Sequence, residues 1–278
     1  MLKPFKTVLL AACALSAAAA SAYDRASEAK QNLSTLMGDS YVAPLSDSDP
    51  DFAAMRDHLI FGDLMEGVKL TPGRAALVSL AAITAAGAPD YARPWVKRAL
   101  NSEATPVEIK EAVYQVAPYA GLPKAEAVLK VVNAVFKEEG IVLPVKSTAT
   151  VTEENRFERG KDFQVSTYGE RIRRMHESAT EDEQFLNVYL LSSFCFGDIY
   201  TRAGLSLKDR ELLTCAVIAL IGGAEAQLTS HVRAAFSTGN SKRDLVDALA
   251  LCLPYMGFPR SLNALAVVKK VEAERKAP

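Results

Sequence analysis

Most of the chain places its apolar residues at the 3.6-residue spacing of amphipathic helices. Residues 75–86 are rich in Ala and Leu without a helix breaker, and TPVE at 105–108 forms a capping box that opens a helix through Ala117. Sustained two-residue alternation, typical of strands, is missing apart from a weak pattern in FQVSTY at 163–168. Other helices are predicted at 24–36, 51–59, 163–177 and 181–199, and after Pro123 and Pro259. The pattern predicts an all-α fold.

The chain also duplicates itself at an offset of 136 residues. LTPGRAALVSLAAITAAGA at 70–88 aligns without gaps with SLKDRELLTCAVIALIGGA at 206–224, and the P-Y-x-G-x-P turn recurs at Pro118 and Pro254. An FGD triplet recurs upstream, at Phe61 and Phe196, one residue out of step. Matches that cluster at turns and on helix faces indicate tandem copies of one unit. We therefore predict two helical-bundle repeats packed side by side, spanning 23–145 and 146–278.

Residues 1–22 are predicted to be an export signal and not part of the fold. Lys3 and Lys6 precede an apolar run at 8–20, and Ala-Ser-Ala at 20–22 is a small-x-small cleavage site before Tyr23. No later segment approaches about 20 uncharged apolar residues, so no membrane attachment is expected after cleavage. The mature protein is expected in the periplasm or outside the cell.

Three cysteines remain after the predicted cleavage: Cys195, Cys215 and Cys252. Each lies in an apolar run, and none belongs to a CxxC motif. They are predicted to be buried thiols that pack as small hydrophobic residues. A disulfide between two of them is an alternative that the sequence leaves open.

Composition and missing motifs exclude several classes of protein. The chain has 278 residues with 49% apolar and 23% charged residues, which is enough for a sizeable core. A formal net charge of -1 argues against a nucleic-acid binder. Glycine-rich nucleotide motifs and metal-ligand spacings are absent from the sequence, so neither a cofactor nor a metal is expected. The expected partner is a small-molecule substrate.

Three blocks of the second copy carry a resemblance to a known family. They are FGDIYTRAGLSLKDRELLT at 196–214, AQLTSHVRAA at 226–235 and YMGFPRSLNAL at 255–265. In this order they resemble the carboxymuconolactone decarboxylase family, which includes the alkylhydroperoxidase-type proteins. The resemblance implies a compact helical fold and a homo-oligomer, with a trimer favoured for a fused two-copy chain. It also implies one of two chemistries: decarboxylation of 4-carboxymuconolactone, or a peroxidase relay using CxxC followed four residues later by His.

Carried over residue by residue, the resemblance gives a mixed picture. His231 matches the family histidine. The peroxidase relay would need cysteines at Ala224 and Gln227, so it is excluded at this position. The decarboxylase-type branch typically has Glu where this chain has Gln227, and an amide cannot exchange a proton at neutral pH. Glu211 matches the R-E block of the family, where a glutamate serves the proton relay in the alkylhydroperoxidase branch.

These residues define the predicted site. An imidazole can give or take a proton near neutral pH, which makes His231 the candidate acid or base; a structural helix histidine is the alternative. Gln227 lies one helical turn earlier on the same face and could bind a substrate oxygen. Glu211 is the second candidate catalytic residue, either orienting His231 or acting as a base. Its alternative is a carboxylate that stabilises a helix start or pairs with Arg210.

The predicted substrate-binding set also includes arginines and a tyrosine. Arg202 and Arg210 could bind a carboxylate bidentately, or they could form ion pairs within the protein. Arg74 repeats Arg210 in the first copy, which favours a structural role for both. Tyr255 is included as a candidate, although the matching Tyr119 in the first copy again favours a structural role.

The first copy lacks the groups needed for proton transfer. At the same offset, His231 is replaced by Trp95, Gln227 by Tyr91 and Glu211 by Ala75. The first copy is therefore predicted to be structural or to shape the wall of a pocket in the second copy.

The leading hypothesis is a cofactor-independent carbon–carbon lyase acting on a small carboxylate or lactone. An arginine would hold a carboxylate while His231 protonates the carbanion or enolate that decarboxylation leaves. The predicted export counts against aromatic-acid breakdown, which is normally cytoplasmic. One alternative is a peroxide-linked oxidoreductase of the alkylhydroperoxidase-like class using Cys215, whose apolar neighbours predict an inert thiol. The other is a non-catalytic binding or assembly protein.

Overall fold

The computed structural model describes residues 23–102 and 104–276, and these residues form helices and no strands. This confirms the predicted all-α class. The chain divides into two compact units, one ending at Gly67 and the other beginning at Val68. The predicted export signal lies outside the described residues. None of the helices in the described ranges combines the length and apolar character that a membrane span requires.

The first unit is a short run of helices. It contains α1 (Arg25–Met37), α2 (Pro50–Asp57), a π-helical segment π1 (His58–Asp63) and a single turn (Leu64–Gly67). The Asp24 carboxylate accepts hydrogen bonds from the backbone amides of Ala26 and Ser27, which caps the start of α1.

The second unit contains helices from both repeats. They are α3 (Pro72–Ala86), α4 (Ala92–Leu100), α5 (Pro106–Tyr114), α6 (Leu122–Glu138), α7 (Arg156–Tyr168), α8 (Glu170–Ser178), π2 (Gln184–Tyr200), α9 (Leu207–Ile221), α10 (Glu225–Ser237) and α11 (Lys242–Lys276). Single turns lie at Pro89–Tyr91, Ala117–Ala120 and Glu181–Glu183. The last helix is broken at Gly257, where φ is 73°.

Two helix predictions are corrected by the structure. The weak strand pattern at 163–168 lies inside α7, so the helix predicted over these residues is present. The helix predicted at 163–177 is interrupted at Gly169, whose φ of 78° ends α7 and separates it from α8. The helix predicted from Pro106 through Ala117 ends at Tyr114, because Pro118 has no N–H with which to continue the helical hydrogen bonds.

The core of the second unit is built around α3 and α9, the equivalent helices of the two repeats. They contact each other, and both contact α11. Nearly all of their residues are buried. Beyond their polar N-terminal turns, both helices are accordingly mainly apolar on every face. The repeats therefore share one core. The sequence boundary at 145/146 does not coincide with a boundary between compact units.

The aligned arginines of the two repeats link these repeats to each other. Arg74 of the first repeat donates from Nε to Asp209 of the second at 2.7 Å. Arg210 of the second repeat donates to Gln115 and Glu111 of the first, at 2.7 and 2.8 Å. Each repeat therefore satisfies a charge of the other, and this reciprocity explains why the arginine is present in both copies.

The FGD triplet of the second repeat docks α7 onto π2. A Cβ on Gly197 would overlap the carbonyl oxygen of Arg156, and a Cβ on Gly160 would overlap that of Ser192. Asp198 accepts a hydrogen bond from Arg156 Nε at 2.8 Å. The glycines allow backbone to pack on backbone, and the ion pair fixes the start of α7.

The FGD triplet of the first repeat does the same for α1. A Cβ on Gly62 would overlap the carbonyl oxygen of Arg25, and Asp63 forms an ion pair with Arg25 at 3.1 Å. Helices α1 and α7 each have 13 residues, begin with Arg and end before a glycine of positive φ. The repeat therefore includes a leading helix that the sequence offset of 136 does not reveal.

We predict that Gly160→Ala lowers the free energy of unfolding by about 1–3 kcal/mol, because the added methyl group overlaps the π2 backbone. Chemical denaturation measures the change. Arg159→Ala, at an exposed position of the same helix, is the matched control and is expected to change stability by less than about 0.5 kcal/mol. Equal stability of the two variants would contradict the close packing of α7 on π2.

Candidate active site

A cavity of about 420 Å³ lies in the second unit and is lined by α7, α8, π2, α10 and one residue of the first repeat. Its polar and charged lining includes Tyr119, Gln164, Tyr168, Arg171, Asn187, Gln227, Ser230 and His231. The rest of the wall is mainly apolar, from Ile172, Met175, Leu191 and Phe196. Part of this wall belongs to π2, a type of helix that is rare and often lies at functional sites. A largely apolar cavity with a few converging polar groups is typical of a small-molecule site.

His231 and Glu211 form a buried pair at this cavity. The Nδ1 atom of His231, on α10, lies 2.9 Å from Oε2 of Glu211, on α9. Glu211 is fully buried. An ionised carboxylate only accepts hydrogen bonds, so a hydrogen bond between Nδ1 and ionised Glu211 requires the imidazole tautomer with its proton on Nδ1. Nε2 forms no hydrogen bond with any residue in the described ranges, so it is the ring nitrogen left for a ligand in the cavity.

Tyr168, the last residue of α7, is a second hydrogen-bond partner of the buried Glu211 carboxylate. Its hydroxyl donates to Oε1 of Glu211 at 2.7 Å and lies 3.1 Å from Nδ1 of His231. Its ring packs edge-on against the imidazole, with centroids 5.3 Å apart. Burial raises the pKa of Tyr168 above its ordinary value, so the phenol keeps the proton that it donates. Sequence analysis missed Tyr168, because no motif surrounds it.

The first repeat contributes Tyr119 to the wall of the cavity. The Tyr119 ring packs edge-on against His231, with centroids 5.7 Å apart, and its hydroxyl lies 3.0 Å from that of Tyr200. Tyr200 in turn lies 2.9 Å from the hydroxyl of Thr214. Burial raises the pKa of Tyr119, so its hydroxyl stays neutral. The prediction that the first copy shapes a pocket of the second agrees with this contact.

Tyr255, the equivalent of Tyr119 in the second repeat, packs against the first repeat in the same way. Its hydroxyl accepts a hydrogen bond from Nε1 of Trp95 at 3.2 Å, and its ring packs edge-on against Tyr91 at 6.0 Å. Trp95 stands where the second repeat has His231. Tyr255 does not line the His231 cavity, so the structure does not bring it together with His231 and Gln227. The P-Y-x-G-x-P turn of each repeat packs against the other repeat, and this exchange is invisible in the sequence alignment.

Arg202 and Arg210 are placed together, but not at the cavity. Both donate to Glu111 of the first repeat, at 2.7 and 2.8 Å. The Glu111 side chain is 2% exposed and therefore needs both cations. Neither arginine lines the cavity, and both form the ion pairs within the protein that were the alternative to substrate binding. Gln227, in contrast, lines the same cavity as His231, one helical turn away.

The three thiols are free and buried, as predicted. Cys195 lines the cavity, whereas Cys215 and Cys252 do not. Burial raises the pKa of Cys195 and of Cys252 to about 12, and it raises the pKa of Cys215 as well. Because the thiolate is the reactive form, this environment disfavours the peroxide-linked alternative.

The arrangement is suited to proton transfer. An imidazole whose Nδ1 is held by a buried carboxylate can accept or donate a proton at Nε2, and the carboxylate stabilises the imidazolium. Within residues 23–102 and 104–276, no three His, Cys, Asp or Glu side chains are grouped so that they could hold a metal ion.

Comparison with known proteins identifies the family. The model of the carboxymuconolactone decarboxylase family matches residues 50–134 and 188–270. The chain belongs to this family. The second matched region contains Glu211 and His231, whereas α7 and α8 lie between the two regions.

Relatives of this family member include named decarboxylases. It is 30% identical over 123 residues to a 4-carboxymuconolactone decarboxylase of Acinetobacter baylyi, covering 44% of this chain and 90% of that protein. It is 31% identical over 83 residues to a nitrosuccinic acid decarboxylase of Metarhizium robertsii, covering 29% of this chain and 56% of that protein. A crystal structure named as a gamma-carboxymuconolactone decarboxylase subunit of Burkholderia xenovorans superposes with a TM-score of 0.51 at 22% identity, covering 90% of this chain and 98% of that chain. This last likeness supports the fold alone.

We predict that Tyr168→Phe lowers the free energy of unfolding by about 1–3 kcal/mol, because the buried Glu211 carboxylate loses a hydrogen-bond donor. Denaturant titration measures the change. Tyr189→Phe removes a hydroxyl from a tyrosine that is 42% exposed, and we expect a change below about 0.5 kcal/mol. If Tyr168→Phe is as stable as this control, the phenol does not support the carboxylate.

Proposed function

We propose that the protein is a cofactor-independent decarboxylase of a small carboxylate or lactone, with His231 as its acid–base group. The observation that carries the proposal is the 2.9 Å contact between His231 and the buried Glu211 at the wall of a largely apolar cavity. The similarity to two named decarboxylases supports the reaction class.

The proposed reaction breaks one carbon–carbon bond. The electron pair of that bond stays on the substrate carbon as carbon dioxide leaves, and the resulting carbanion or enolate takes a proton from Nε2 of His231. Glu211 stabilises the imidazolium before this transfer, and solvent returns the proton afterwards. Apolar groups such as Ile172 and Phe196 surround the departing carboxylate, and their poor solvation of charge favours its loss.

Because Glu211 supplies a carboxylate to His231, the proposed site does not need a glutamate at position 227, where this chain has Gln. Gln227 can hold a substrate oxygen through its amide but cannot exchange a proton at neutral pH. In the proposed site the carboxylate comes from α9, where Glu211 contacts the opposite ring nitrogen from the one that faces the substrate. Gln227 is then a substrate-binding residue and not part of the proton path.

Location and assembly belong to the same proposal. We infer that the mature chain works in the periplasm or outside the cell after cleavage at the predicted signal, and that it forms a homo-oligomer, with a trimer favoured. An exported enzyme would meet its substrate outside the cytoplasm, so the natural substrate need not be an intermediate of aromatic-acid breakdown.

The test is carbon dioxide release by the mature protein from 4-carboxymuconolactone and from nitrosuccinate, the substrates named in its relatives. We expect His231→Ala and Glu211→Gln to lower kcat roughly 10²- to 10⁴-fold, the range of a general acid–base contribution. His58→Ala changes a histidine of the first unit and should leave the rate unchanged. Release that persists in His231→Ala, or no release of carbon dioxide by the folded wild type from either compound, would contradict the proposal.

A further inference from the structure

We propose that Arg171 binds a carboxylate that the substrate retains, and that α7 and α8 determine which substrates the site accepts. The inference rests on the proposed function and deepens it by assigning the residue that holds the retained carboxylate. One carboxylate would leave as carbon dioxide beside His231, and the other would stay bound to Arg171.

Arg171 is the arginine that the cavity offers for this purpose. It lines the cavity from α8, and apart from His231 no other lining residue can carry a positive charge. It forms no hydrogen bond or ion pair with any residue that the structure describes, whereas the nearby Arg173 is paired with Glu170 at 3.0 Å. Its guanidinium is therefore available for a carboxylate ligand, which it can bind through two parallel hydrogen bonds.

The backbone on both sides of Arg171 is fixed by contacts. Tyr168, three residues before it, is bonded to Glu211 at 2.7 Å, and Ile172, immediately after it, is buried. Further along α8, His176 lies 3.4 Å from the hydroxyl of Ser192 on π2. A cation on a fixed backbone loses less conformational freedom on binding a ligand than a cation on a mobile loop.

The position of the charge indicates which carboxylate it binds. A cation that held the departing carboxylate would stabilise the charged ground state and oppose decarboxylation. The apolar wall of Ile172, Met175, Leu191 and Phe196 provides a region where a carboxylate is poorly solvated. Arg171 is exposed, so it serves best as an anchor for a second carboxylate that keeps its charge throughout the reaction.

The segment that carries Arg171 lies outside the regions that the family model matches. Helices α7 and α8 lie between the two regions matched by the family model, 50–134 and 188–270, whereas Glu211 and His231 lie within the second region. The matched region thus contains the proposed proton-transfer pair, and the intervening segment supplies the charge that would select the substrate.

The experiment compares Arg171→Gln with Arg174→Gln, an exposed arginine of the same helix that does not line the cavity. Calorimetry with the mature chain measures the Kd of succinate and of succinamide, its neutral diamide, which share a four-carbon skeleton and differ in carboxylate charge. We expect wild type and Arg174→Gln to prefer succinate. In Arg171→Gln the Kd of succinate should rise about 10- to 100-fold, as for loss of a charge-assisted pair, and that of succinamide should stay the same. Arg171→Lys, which keeps the charge without the planar fork, should give an intermediate Kd.

Turnover provides the second readout. With a substrate from which the wild type releases carbon dioxide, Arg171→Gln should raise KM about 10- to 100-fold while kcat changes less than about threefold. Succinate binding that is equal in Arg171→Gln and Arg174→Gln, or a wild type without preference for succinate over succinamide, would overturn the inference. If wild type prefers succinate through Arg171 but releases no carbon dioxide, the proposed function fails and the carboxylate site stands.

Discussion

The hydrogen bond between the buried Glu211 carboxylate and Nδ1 of His231 constrains the architecture around the cavity. A carboxylate removed from water is costly unless donors replace its hydration. Glu211 has two such donors, His231 from α10 and Tyr168 from α7. Helix α7 must therefore meet the consecutive helices α9 and α10 at one point. The glycine contacts between α7 and π2, and the ion pair of Arg156 with Asp198, hold α7 close enough for Tyr168 to reach it.

The two copies differ at the candidate site. The first copy has Trp95 and Ala75 where the second has His231 and Glu211, yet its Tyr119 packs against the histidine of the second copy. The second copy returns the contact through Tyr255, which accepts a hydrogen bond from Trp95. Because the arginines and the P-Y-x-G-x-P turns both reach across, neither repeat has its complete set of partners alone. This explains why a copy without the proton-transfer pair still carries the turn and the arginine.

The sequence predicted the fold and the centre of the candidate site well, because both depend on local patterns. Helical periodicity and the repeat gave the all-α architecture, and the matched blocks identified His231 and Glu211. Long-range partners are what local patterns do not reveal. The sequence left substrate binding and internal ion pairs both open for Arg202 and Arg210, because their partner Glu111 lies 91 and 99 residues away in the chain. Tyr168 and Arg171 were missed because they lie in a segment without a motif, where a glycine break places both residues at the cavity.

The central claim is that Glu211 holds the proton of His231 on Nδ1 and leaves Nε2 free to exchange a proton with the substrate. Nitrogen-15 NMR of the imidazole in the ligand-free mature protein tests this directly, because it distinguishes the two neutral tautomers. The account predicts that neutral His231 carries its proton on Nδ1, and that Glu211→Gln shifts the population towards the Nε2–H form. Neutral His231 with its proton on Nε2 in the wild type would contradict the account.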